Sequence, residues 1–137
     1  MVQDVRDWTW SSRPALGRSP VSEWAARISR DIAEMAIESE VGPQFSARWT
    51  RYGLGPVELN FLRCSAQTAT RTREMIARDG LPNFELLFVR SGPMRFRHGD
   101  RSGVVPPGTF VLLDDQLAYD LDFPKGSDCL TVRMPET

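Results

Sequence analysis

The stretch that decides the fold begins at Phe84-Glu85-Leu86-Leu87-Phe88-Val89, turns at Ser91-Gly92-Pro93, and continues as Met94-Arg95-Phe96-Arg97-His98 to a second turn at Gly99-Asp100. Gly103-Val104-Val105-Pro106-Pro107-Gly108 then leads into Thr109-Phe110-Val111-Leu112-Leu113-Asp114. Ala118-Tyr119-Asp120-Leu121-Asp122-Phe123 and Cys129-Leu130-Thr131-Val132-Arg133-Met134 complete the run. Alternation with period two, punctuated by Gly, Pro and Asp, is the signature of short strands joined by tight turns. Several such strands at short spacing predict a closed or double-layered β structure, a barrel or sandwich. The run carries few side chains able to do chemistry, so the reading it supports is a container that binds, not an enzyme that turns over.

Upstream, Ser19 is placed to cap a helix, Pro20 suits its first position, and Glu23 sits in the acid-favouring first turn. Val21, Trp24, Ala25, Ile28 and Ile32 form one apolar stripe at helical spacing, which predicts a helix over about residues 20–33. Residues 1–19 are polar around Pro14 and Gly17 and read as an N-terminal arm, leaving 20–137 as one domain. Beyond the helix the period changes. Strands are expected around Met35–Ile37, Phe45–Tyr52, Val57–Cys64 and Gln67–Thr72, with a short helical turn at Arg73–Arg78 ending in Asp79-Gly80.

The chain has 137 residues and a formal charge of −1, enough for one core and offering no electrostatic grip on nucleic acid or an anionic membrane. No signal-peptide pattern and no membrane-length apolar run is visible, so a cytoplasmic protein is expected. Cys64 and Cys129 lack a metal or redox spacing and read as buried, reduced thiols.

Taken in order, these segments resemble the N-terminal sensor domain of AraC/XylS-type bacterial transcription regulators, in the AraC-binding-like branch. The likeness rests on Trp24 in an early helix, Phe45-Ser46-Ala47-Arg48 opening a strand, Leu54-Gly55-Pro56-Val57-Glu58-Leu59 as a Leu-Gly hairpin, and the Arg71-Thr72 step. It continues through the strand at Phe84–Val89 followed by Ser91-Gly92, Pro107-Gly108-Thr109-Phe110 with Thr109 where Asp is usual, Ala118–Leu121 and the closing Val132–Pro135. The resemblance implies a mainly β, cupin-like double-stranded barrel (a jelly roll) with an N-terminal helix. It also implies a small-molecule effector, dimerisation, and contact with DNA only through a C-terminal helix-turn-helix domain that this sequence does not include.

A metal-dependent cupin enzyme needs two or three imidazoles and a carboxylate around one ion. With His98 as the sole histidine, no metal, no cofactor and no catalytic residue is expected. Asp114-Asp115 point to opposite faces of a strand and read as its end, not as a catalytic pair. The aromatic set Trp49, Phe61, Phe84, Phe88, Phe96 and Tyr119 either packs the core or lines a cavity. Arg51 and Arg63 share faces with Trp49 and Phe61. They either reach a ligand carboxylate or extend to the rim. The expected ligand-binding set is Trp49, Arg51, Phe61, Arg63, Phe88, Phe96, His98 and Tyr119, with an organic acid as the ligand. Two other readings stay open: a metal-independent cupin-like enzyme, and an interaction module with a solid barrel.

Overall fold

A computed structural model describes residues 8–12 and 19–135. Two antiparallel sheets contribute their inner faces to one core. The six-stranded sheet contains β1 (Trp8–Ser11), β3 (Ala47–Leu54), β4 (Val57–Cys64), β11 (Ser127–Pro135), β6 (Asn83–Ser91) and β9 (Phe110–Asp114), in that spatial order. The five-stranded sheet contains β2 (Ala36–Glu38), β5 (Gln67–Arg71), β10 (Tyr119–Phe123), β7 (Met94–His98) and β8 (Arg101–Val105). The last strand, β11, lies between β4 and β6 instead of at an edge. This interleaving of early and late strands in both sheets is the jelly-roll arrangement.

The first helix, α1, spans Pro20–Asp31. Ser19 caps it, its side chain accepting from the Ser22 amide at 3.2 Å. Its stripe buries Trp24 and Ile28, and Ile32 just beyond its end is also buried. The second helix, α2 (Arg73–Asp79), is capped by Thr72 and stopped by Gly80, whose φ of 58° is the left-handed conformation glycine adopts without strain. The sequence places a single turn here; the capping pair Thr72 and Gly80 sustains nearly two.

The arm expected over residues 1–19 falls mostly outside the described residues. Within it, Trp8–Ser11 forms an edge strand paired with β3, Trp8 opposite Arg51 and Trp10 opposite Trp49. One close approach fixes how β11 begins. A Cβ on Gly126, where φ is 83°, would lie 2.8 Å from the Cys64 carbonyl oxygen.

The inner face of β6 carries Asn83, Glu85, Leu87 and Val89, all buried, whereas Phe84, Leu86 and Phe88 face outward and are half-buried. The same inversion holds in β4, where Asn60, Leu62 and Cys64 point in and Leu59, Phe61 and Arg63 point out. Register aligns the outward residues into apolar rows across the sheet. One row runs Phe110, Phe88, Leu130, Phe61; the next runs Leu112, Leu86, Val132, Leu59, Tyr52.

Candidate functional site: a cavity beneath the first helix

Inside the barrel lies a cavity of about 50 Å³. Trp24, Ile28 and Ile32 form its roof, and Leu62, Leu87, Leu113, Leu121 and Phe123 form much of its wall. Five polar side chains also line it: Gln67, Glu85, Tyr119, Ser127 and Thr131. An apolar cavity of about 150 Å³ holds benzene. The cavity as it stands therefore suits only a few small atoms, and anything larger requires its lining to move.

The roof is held by aromatic and polar contacts. Trp10 stacks on Trp24 with centroids 5.7 Å apart, and Trp24 meets the buried Trp49 edge-on at 5.8 Å. Trp8 packs on Trp49 at 4.9 Å, with the Arg27 guanidinium 4.4 Å above the Trp8 ring. The indole N–H of Trp24 donates to Gln67 Oε1 at 2.9 Å, and that of Trp49 to Asn60 Oδ1 at 2.8 Å. At the far end of α1, Arg51 and Arg133 both donate to the Asp31 carbonyl, and both also reach Glu58 Oε1 at 3.3 Å. Two cations thus complement the negative end of the helix dipole. Burial lowers the Arg51 proton affinity, partly offset by Glu58 and Asp31.

A buried polar knot gathers around Arg71, next to the segment that follows α1. Arg71 has a fully buried side chain. It donates to Asp79 Oδ1 and Oδ2, both at 2.7 Å, and to the carbonyls of Glu34 and Asp115, both at 2.9 Å. Burial alone would raise the Asp79 carboxyl, but the Arg71 fork and the amides of Glu34 and Leu81 outweigh it and hold Asp79 below its ordinary range. Asp115, fully buried, accepts from the Tyr119 hydroxyl at 3.0 Å. Burial together with the neighbouring Asp115 pushes Glu85 well above the usual carboxylate range. Burial raises Asp115 too, against the pull of Glu85, Tyr119, Arg71 and Arg133. The two carboxyls behave as a pair sharing one proton.

The candidate residues fall into three groups. Trp49 and Arg51 face inward beside the roof, where Arg51 is engaged by Glu58, Asn60 and Asp31. Tyr119, His98 and Phe96 face inward on the five-stranded sheet, and of the whole set only Tyr119 lines the cavity. His98 Nε2 accepts from the Asp114 amide at 3.0 Å, and its ring meets Tyr119 edge-on at 6.0 Å, so it ties β7 to the end of β9. Phe61, Arg63 and Phe88 lie on the outer face. Arg63 is largely exposed and pairs with Asp128 at 3.1 Å, and Phe61 packs against Tyr52 at 5.8 Å. This placement corrects the expected interior position of Phe61 and Phe88, and of the two alternatives for Arg63 it leaves the one in which the side chain extends away from the cavity. Its physical cause is that β4 and β6 are apolar on both faces, so alternation alone cannot distinguish inside from outside.

Asp114 does end its strand, its carboxylate accepting from the Gln116 amide at 2.8 Å, but its neighbour Asp115 enters the core. Neither Asp115, Glu85 nor Arg71 stands out by local pattern; the one available signal is the Arg71-Thr72 step at a strand-to-helix junction. Both cysteines are free and buried, with Cys64 Sγ 3.1 Å from Ser127 Oγ. Among the described residues, no group of three or more His, Cys, Asp or Glu side chains is arranged to hold a metal ion, and no helix is long and apolar enough to cross a membrane.

A two-sheet jelly roll with an internal cavity under a helical roof is the frame of this site. The sequence profile of the AraC-binding-like domain matches residues 24–137, and the chain belongs to that family, the sensor domain of AraC-type regulators. It is 28% identical over 114 residues to the transcriptional activator NphR of Rhodococcus sp., covering 82% of this chain and 34% of that protein. Its fold matches the crystal structure of the AraC-like transcriptional activator CuxR with a TM-score of 0.77 at 18% identity, over 93% of this chain and 47% of that one. A cupin superfamily protein from Desulfitobacterium hafniense matches with a TM-score of 0.53 at 7% identity, over 68% of this chain and 79% of that one. The chain thus spans about a third of the length of the curated relative it matches.

Proposed function

We propose that this chain is the effector-sensing part of an AraC-type transcription regulator, non-catalytic and acting in the cytoplasm. A small organic molecule binds in the barrel cavity, and the response of α1 and the arm changes how the DNA-binding part implied by the family is presented. The observation that carries this reading is the cavity roofed by α1. At about 50 Å³ it is too small for most organic ligands with α1 seated as it is, so occupancy and roof position are linked. Lifting α1 disturbs the Trp10–Trp24–Trp49 stack and the Arg51 and Arg133 contacts to Asp31 together, which transmits occupancy to the arm. We propose in addition that the chain contributes to dimerisation, which the apolar rows on the outer face of the six-stranded sheet support.

The test is isothermal titration of the chain with small aromatic and aliphatic compounds, repeated on Ala69→Leu, which places extra carbon in the cavity. Binding of one molecule per chain that the substitution abolishes is expected. No binding by any compound, or equal binding by Ala69→Leu, overturns the reading.

A further inference from the structure

Within the cavity wall, the buried Thr131 Oγ1 has no hydrogen-bond partner, and Glu85 Oε2 has none besides the proton its carboxyl shares with Asp115, whose own Oδ2 is likewise unmatched. Glu85 is 4% exposed and Thr131 3%. They sit on the paired strands β6 and β11. Thr131 is opposite Leu87, and Glu85 is two residues from Leu87, so the two are diagonal neighbours on the inner face. Leaving such atoms unmatched in an apolar surround costs free energy, and a ligand group that matches them recovers it.

We propose that the cavity recognises an uncharged molecule with a small apolar body and one hydroxyl or amide group, held between Glu85 and Thr131, and that it rejects carboxylates. The inference rests on the ligand-binding reading above and names the ligand's chemical class. Thr131 offers a hydroxyl that donates or accepts. Glu85 shares a proton with Asp115, and whichever of its oxygens takes part, the other keeps lone pairs to accept from a ligand donor. A ligand carboxylate would enter beside two acids. The arginines expected to receive it are engaged elsewhere: Arg51 with Glu58 and the end of α1, Arg63 with Asp128 on the outer face. A ligand cation gains little either, because Arg71 and Arg133 already act on the Glu85–Asp115 pair. Leu62, Leu87, Leu121 and Phe123 accept an apolar body, and the other polar side chains of the wall, Gln67, Tyr119 and Ser127, are already matched by Trp24, Asp115 and Cys64.

The experiment compares phenol, toluene and benzoate, matched in ring and differing in the polar group, by isothermal titration at neutral pH. Wild type, Thr131→Val and Ile28→Ala are titrated in parallel, the last giving the ring room from the roof side. Phenol should bind about tenfold more tightly than toluene, benzoate should bind most weakly, and Thr131→Val should cut the phenol preference to about threefold or less. Benzoate binding as tightly as phenol overturns the inference while leaving the ligand-binding reading standing. So does a phenol preference that is absent in wild type or undiminished in Thr131→Val. If none of the three binds wild type or Ile28→Ala, both the inference and the ligand-binding reading fall.

Discussion

Replacing Arg71 with methionine tests the polar knot directly. The guanidinium makes four hydrogen bonds, joining β5 to α2 through Asp79, to the segment after α1 through the Glu34 carbonyl, and to the β9–β10 turn through the Asp115 carbonyl. Methionine keeps much of the volume and all of the apolar stem, so the loss is mainly electrostatic. Breaking a buried pair by removing one partner costs about 3–5 kcal/mol. Asp79 is 19% exposed and retains amide donors from Glu34 and Leu81, which moves its share toward the lower end. The two carbonyls losing a buried donor add about 1 kcal/mol or more each. The expected loss is therefore about 5 kcal/mol, or a fall in melting temperature of roughly 15–20 °C for a domain of this size.

Chemical denaturation of wild type and variant, compared across pH, is the assay. Asp79 has a depressed folded-state pKa, so its contribution is fully present above its unfolded value and disappears as pH falls through the folded one. The gap between the two proteins should hold from neutral pH down to the ordinary aspartate range and then narrow. Adding Asp79→Asn to Arg71→Met should recover part of the loss by removing the unmatched charge. A destabilisation under about 1 kcal/mol, or a gap that widens in acid, would refute the reasoning.

Two further outcomes follow from the core. Glu85 has a raised folded-state pKa, so the folded state holds a proton that the unfolded chain releases, and stability declines as pH rises from about 4.5, the ordinary glutamate value, toward the folded one. Glu85→Gln removes that titration, so its stability relative to wild type should rise across this range; a difference that stays flat with pH contradicts the shared-proton assignment. Burial pushes the Cys64 thiol to about 11 and Cys129 higher still. Neither should react with a disulfide reagent near pH 8 until the chain unfolds, and rapid modification of the native protein would show the cavity to be open to solvent.

The elements were legible because each carries a local signal. Ser19-Pro20 and the Trp24, Ile28, Ile32 stripe locate α1, and Gly-bounded alternation locates the strands from β6 onward. The site was much less legible. Phe61 and Phe88 are apolar, on strands, and yet outside, because β4 and β6 have apolar residues on both faces. The inward positions opposite them hold Asn60, Glu85 and Thr131, polar residues whose surroundings come from elements distant in sequence. A buried arginine does need an acid, and here the buried arginine is Arg71. That residue meets Asp79 eight positions later only because α2 folds back under Thr72 and Gly80. The strand Trp8–Ser11 was readable as an alternation, but four residues in a polar arm carry little weight until β3 is there to pair with them.

All four tryptophans of the chain stand in one stack at the junction of β1, α1 and β3. The protein's intrinsic ultraviolet emission therefore has a single address. It reports the seating of the roof and is nearly blind to the other end of the barrel, whereas far-ultraviolet dichroism averages over every strand. If the two signals melt together, roof and barrel form one cooperative unit. If the emission changes first, the roof detaches while the sheets remain intact, and the temperature difference between the two curves measures how loosely the sensor is latched.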